Sequence, residues 1–169
     1  MTATTLTTSR LILTPIGEAD LADLIALNAD PEVGGRLKHG VLSEAETRAQ
    51  FAGYRAIWEE RGLGVFAARR REDGAFVGIA GLWDHDGGLG TALRYAVMPA
   101  HRGTGLAREA AMAVLDFARK ENIRPLMAAT RENNVASQRI LTDLGFVLRE
   151  MRGAPGQRVM VFELAETAP

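Results

Sequence analysis

Cysteine is absent from the 169-residue chain, which removes disulfides, a thiolate nucleophile and sulfur-ligated metal sites together. Histidine is scarce: His39, His85 and His101 stand far apart, at no spacing that suggests a zinc site, so no metal is expected. Neither sign of charge prevails, with 20 Lys+Arg against 21 Asp+Glu and a formal net charge of -1. That balance gives no global basic field for a nucleic-acid partner. Long apolar runs are missing too: none reaches the roughly 18 residues that span a bilayer. Met1 to Thr5 lacks the basic and apolar blocks of a signal peptide, and a cytoplasmic protein is expected. What remains is ordinary for a globular protein, 47% hydrophobic and 24% charged. The length suits a single domain over residues 1–169 with a sizeable core, and no repeat or linker interrupts it.

One stretch organises the chain. Leu93 to Met98 is strand-like and ends at Pro99, a short loop carries Gly103 and Gly105, and a long amphipathic helix begins near Leu106. In a strand that feeds a helix through a glycine-rich turn, the first helical N–H groups lack intrahelical partners and the dipole favours an anion. Gly103 and Gly105 would let the backbone approach a phosphate closely. A Walker loop is excluded, because Leu106 and Ala107 stand where Lys and Ser/Thr are needed. The dinucleotide fingerprint places Arg108 at its last glycine position, with no first βαβ unit before it. A tight turn with no ligand is the bland alternative.

Around this stretch the elements follow one another in order. Arg10–Leu13 reads as a strand and Glu18–Asn28 as a helix. Ser43 with Glu46 forms a capping box ahead of a second helix whose Phe51, Tyr54, Ile57 and Trp58 suit a core or groove wall. Residues 64–69 and 76–83 flank Asp73-Gly74 as a hairpin, and residues 91–98 return as the next strand. The glycine-turn helix sets Ala110, Val114 and Phe117 on one face, with Glu109 read as structural. A short buried strand at 126–130 then suits a parallel crossover. Asn133 or Asn134 caps a last helix that Gly145 stops, and Val159 to Leu164 forms a final strand. His39 reads as a solvated loop residue.

Arg102-Gly103-Thr104-Gly105-Leu106-Ala107 meets the pattern Arg/Gln-x-x-Gly-x-Gly/Ala at every fixed position. Here the chain resembles the GNAT superfamily of acyl-CoA-dependent N-acetyltransferases. Asn134-x-x-Ser137 followed by Leu141-x-x-Leu144-Gly145-Phe146 matches a second stretch of that family, at the expected distance. The opening Thr8-Ser9-Arg10-Leu11-Ile12-Leu13-Thr14-Pro15 and the later Asp30-Pro31-Glu32-Val33 resemble its ribosomal-protein N-terminal acetyltransferase (RimJ/RimL) branch.

The resemblance implies an α/β (α+β) fold: a mixed, mostly antiparallel sheet of six or seven strands, splayed near the cofactor and flanked by about four helices. It implies acetyl-CoA as co-substrate and a primary amine, on a protein N-terminus or a small molecule, as acceptor. The diphosphate would lie on Arg102, Gly103, Thr104, Gly105, Leu106 and Ala107, and pantetheine along Tyr95, Ala96, Val97 and Met98. Asn134 would touch pantetheine or the acceptor, or merely cap its helix. Ser137 is a candidate general acid for the departing thiolate, and Arg102, Arg108 and Arg139 are candidate phosphate partners. No serine sits in a Gly-x-Ser-x-Gly elbow, which favours direct transfer. The general base is the weak point: relatives carry Glu just before the position of Leu93, where Ala92 stands here. Asp84, His85 and Asp86, on the loop entering that strand, could replace it. A non-catalytic acyl-CoA-binding module and a nucleotide-binding protein are the rival readings. Relatives are monomers or homodimers.

Overall fold

The computed structural model describes residues 4–37, 39–85 and 87–166, so Asp86 and Met1 to Ala3, on which expectations fell above, lie outside the described residues. Alternation builds the first long strand, because Leu11 and Leu13 are wholly buried while Ile12 and Thr14 are exposed. The strands are β1 (Leu6–Thr7), β2 (Leu11–Pro15), β3 (Val65–Arg70), β4 (Phe76–His85), β5 (Gly90–Val97), β6 (Met127–Arg131), β7 (Phe146–Arg152) and β8 (Val159–Leu164). They form one sheet in the order β1-β2-β3-β4-β5-β6-β8-β7. Every neighbouring pair is antiparallel except β5 and β6.

Five α-helices accompany the sheet: α1 (Leu21–Ala29), α2 (Pro31–Gly34), α3 (Glu44–Arg61), α4 (Leu106–Lys120) and α5 (Val135–Asp143). Helix α3 begins at the expected capping box, where Ser43 Oγ accepts from Glu46 N at 3.2 Å and Glu46 Oε2 accepts from Ser43 N at 2.7 Å. It ends at Gly62, whose φ of 64° is left-handed. Helix α4 is the crossover that makes β5 and β6 parallel neighbours.

Apolar side chains collect on both faces of the sheet. One cluster joins Leu11, Leu13, Phe66, Leu82 and Leu93 to Val114, Leu115 and Phe117 of α4 and Leu141 of α5. The other joins Val65, Ala67, Ile79 and Ala96 to Leu24 and Leu27 of α1 and Phe51 and Tyr54 of α3. Trp58 belongs to the first, edge-on to Phe66 at 4.9 Å with its indole N–H donating to Val65 O at 2.7 Å. The middle of the sheet is packed tightly enough that a Cβ at Gly81 would meet the Val65 Cα at 2.4 Å.

Eight strands stand where six or seven were expected, because the two residues of β1 are too short to carry a period. The added helix is α2, a single turn with Pro31 first and Asp30 Oδ1 accepting from Glu32 N at 2.8 Å.

Candidate active site

The sheet opens beside β5. Parallel pairing with β6 is confined to Ala92↔Met127 and Leu93↔Ala128. On its other side β5 stays paired with β4 through Val97↔Gly78, and the Met98 amide donates to Val77 O at 2.8 Å. Main-chain groups alternate along an antiparallel strand. Since Met98 faces β4, so do Ala96 and Arg94, while Tyr95 and Val97 turn their N–H and C=O groups to the open edge. The edge expected at Tyr95 to Met98 is therefore carried by Tyr95 and Val97. Met98 is the correction: its amide and its carbonyl, which takes the His101 amide at 2.9 Å, are both occupied, and its side chain packs towards α1 and α3.

At the foot of this gap lies the glycine turn. Gly103 and Gly105 have φ of 76° and 81°, and a Cβ at Gly103 would meet nothing within 4 Å, which leaves the approach to the turn clear. Glu109 N donates to Gly105 O at 3.0 Å, so the amides of Leu106, Ala107 and Arg108 precede the first helical bond. The turn is braced from behind. Arg10 Nη1 donates to Thr104 O at 2.7 Å and Arg10 Nε to Glu109 Oε2 at 2.7 Å. Glu109 Oε1 also accepts from Thr8 Oγ1 at 2.6 Å and from the Arg10 amide at 2.9 Å. Burial opposes ionisation of Glu109, but these donors together hold its carboxyl below the ordinary glutamate value.

A cavity of about 640 Å³ rises from the turn along β5, lined by Ala96, Val97, Arg102, Gly103, Gly105 and Ala107 among others. Tyr95, Leu106, Arg108, Asn134, Ser137 and Arg139 also reach it. Thr104 does not; its hydroxyl donates to His101 O at 3.0 Å, so it shapes the turn instead of facing a ligand. Arg102 holds Glu32 O at 3.2 Å, and burial with the neighbouring Arg36 charge lowers its pKa. Arg108 lies 3.8 Å from Asp143. Arg36, unremarked in the sequence, lines this cavity too.

A second cavity, of about 290 Å³, shares Arg36, Leu37, Tyr95, Asn134 and Ser137 with the first. At their junction Tyr95 Oη lies 2.8 Å from Ser137 Oγ and 3.3 Å from the Ser137 carbonyl oxygen, so its one proton can serve either. Asn134 Oδ1 caps α5 by accepting from Ser137 N at 3.2 Å, which fixes the serine's place. Burial pushes the Tyr95 phenol up to about 12, with the Ser137 bond pulling weakly the other way.

The second cavity corrects one expectation. Asp84 does not line it, because β4 alternates: Trp83 and His85 face the cavity while Asp84 points away and pairs with Arg61 at 2.6 Å. His39 is an exposed turn residue, as expected, and its ring also lines the cavity. Its Nδ1 donates to Gly40 O at 2.9 Å, which leaves Nε2 as the acceptor facing Arg94 Nη2 at 3.1 Å. His85 is turned the other way: Nδ1 accepts from Gly87 N at 3.0 Å, so the neutral ring carries its proton on Nε2. Arg94, missed in the sequence because it sits mid-strand, is only 9% exposed. Among the described residues no group of His, Cys, Asp or Glu is placed to hold a metal ion, and no helix is long and apolar enough to cross a membrane.

An unpaired strand edge, a turn with free helical amides beneath it and four arginines on one cavity wall lie together, an arrangement suited to an extended ligand that carries phosphates. The chain belongs to the GNAT acetyltransferases: residues 10–147 match the acetyltransferase (GNAT) domain. It is similar in structure to an acetyltransferase from Agrobacterium tumefaciens str. C58, with a TM-score of 0.84, 24% identity and coverage of 98% of this chain and 96% of that one. The yncA protein of Salmonella typhimurium, solved with its cofactor acetyl-CoA, aligns with a TM-score of 0.72 at 22% identity over 95% and 98% of the two chains. A RimL ribosomal L7/L12 alpha-N-protein acetyltransferase in complex with coenzyme A aligns with a TM-score of 0.77 at 18% identity over 95% and 97%. Acetyl-CoA is thus the ligand of this fold, and the glycine turn, the arginines and the open strand edge fit its phosphates and its extended arm.

Proposed function

We propose that this protein transfers an acetyl group from acetyl-CoA directly to a primary amine. The observation that carries the reading is the Tyr95–Ser137 hydroxyl pair at the junction of the two cavities. Acetyl-CoA supplies the acetyl group as a thioester, a carbonyl that a neutral amine can attack. Arg102, Arg108 and Arg139 hold the phosphates, with the amides of Gly103, Gly105, Leu106 and Ala107. Tyr95 and Val97 pair with the amide arm, and Asn134 positions Ser137. The hydroxyl of Ser137, polarised by Tyr95, donates to the sulfur as negative charge gathers there. A phenol pushed up to about 12 remains protonated throughout the physiological range, so Tyr95 acts as a donor and not as a base. The amine proton leaves through water in the second cavity, whose walls include His39 and His85.

A second reading, acetyl-CoA binding without turnover, is favoured by the absence of Asp and Glu from the described lining of that cavity. Turnover of acetyl-CoA over a panel of amines, each followed by mass spectrometry of the product, decides between the two. Acetylated amine, reduced in rate by Ser137→Ala, is the expected result; bound acetyl-CoA with no amine acetylated would leave only the second reading.

A further inference from the structure

Among the described residues, no carboxylate pairs with Arg94. It projects from β5 into the wall of the smaller cavity and is 9% exposed. Its guanidinium lies 4.8 Å from the Trp83 ring centre and 5.8 Å from that of Tyr54. Its one hydrogen-bond partner among the described residues is the neutral ring of His39, and its Nε has none. Arg36, Arg131, His39 and His85 line the same cavity, and among the described residues no carboxylate does. Burying a guanidinium without a counter-charge is unfavourable, and the five fixed donors of arginine match a carboxylate in two parallel bonds. Aromatic rings recover part of that cost but leave the donors unfilled.

We infer that the acceptor is a small amine that also bears a carboxylate, of the α-amino acid class, and that Arg94 binds the carboxylate while the amine faces the Tyr95–Ser137 junction. The inference rests on the acetyltransferase reading for the site's identity, and adds the acceptor's charge. A peptide N-terminus lacks the oxyanion next to the amine and leaves Arg94 unfilled. The arm of coenzyme A that reaches the junction is uncharged, so the cofactor does not supply the missing anion.

The test compares α-amino acids with their α-amides and with short peptides, on the wild type and on Arg94→Met and Arg94→Lys. Binding is read by calorimetry on protein saturated with coenzyme A, and transfer by acetyl-CoA turnover. An amino acid should be favoured over its amide on the order of a hundredfold in affinity or kcat/KM. Arg94→Met should erase that preference while acetyl-CoA still binds, and Arg94→Lys should restore part of it. Should Arg94→Met fail to fold, the acid-to-amide ratio on the wild type decides alone. Amides or peptides accepted as well as free amino acids would overturn the inference and leave the acetyltransferase intact. A carboxylate preference in binding with no acetyl transfer would do the reverse. Binding of inorganic phosphate or chloride alone, with no amino acid bound, would also overturn it.

Discussion

Ser137 and Tyr95 are separated by 42 positions in sequence, and their hydroxyls meet at 2.8 Å because β5 and α5 face one another across the opened sheet. Ser137→Ala removes the proposed donor to sulfur, and kcat should fall by about a hundredfold, the lower range for general acid catalysis, while acetyl-CoA affinity changes little. Stopped-flow turnover beside calorimetry reads the two separately. Tyr95→Phe keeps the ring that lines both cavities and loses the hydroxyl alone, so its loss of kcat should be smaller. Of the two tyrosines, Tyr95 should ionise near 12 in the folded protein. A phenol raised above its unfolded value contributes stability that is fully present below about 10 and lost as pH rises through about 12. Alkaline absorbance titration of wild type and Tyr95→Phe checks this; a difference transition near the unfolded value would contradict it. At this scale the sequence disclosed Ser137, Asn134 and the glycine turn because each follows a local pattern. Arg94 escaped because nothing local marks it: it lies mid-strand, and only the folded chain brings it 3.1 Å from His39.

The glycine turn depends on an element remote from it in sequence. Thr8, Ser9 and Arg10 reach across to Glu109 on α4, and Arg10 also holds the Thr104 carbonyl. Glu109→Gln keeps the shape but removes the charge that several donors share. Because Arg10 is half exposed, solvent screens its part, and the loss should be about 1–2 kcal/mol at neutral pH. The sign of its pH dependence follows from a carboxyl whose folded pKa is depressed. Its contribution is complete above the unfolded glutamate value and disappears as pH falls through the folded one. Urea denaturation of wild type and Glu109→Gln at neutral and at acid pH should show the gap closing in acid; an equal gap at both would remove Glu109 from this role. Helix boundaries were legible where Ser43, Asn134 and Gly145 start or stop helices by their own chemistry, whereas Gly62 passed unread. The brace was not, since Glu109 carries no feature that distinguishes it from any exposed helical glutamate until β2 is laid against α4.

The gap beside β5 is a property of the whole sheet. Strand β6 pairs with β8 over five positions from Met127↔Glu163 to Arg131↔Val159 but with β5 only at Ala92 and Leu93. Periodicity can mark each strand but cannot state which edge a neighbour will abandon, so the splay came from family resemblance and not from the residues. Across the gap the two portions of the sheet share few main-chain bonds, and a ligand lying in it touches β5 and α4 on one side and α5 on the other. Binding to the folded state alone stabilises by about 2.7 kcal/mol at a hundredfold excess over Kd. For a chain of this size that raises Tm by roughly 5–10 °C. Differential scanning fluorimetry with acetyl-CoA should record the rise, with ATP and NAD giving none. Gly105→Glu should abolish it by deforming the turn, since Gly105 has a positive φ of 81° and a Cβ there would lie 3.4 Å from Arg10 Nη2, which braces the turn. Arg139→Glu reverses an exposed charge on the cavity wall without touching the turn, so it separates ligand loss from misfolding. Its unliganded Tm should match the wild type while its response to acetyl-CoA shrinks; an undiminished response in both variants would move the cofactor away from this turn.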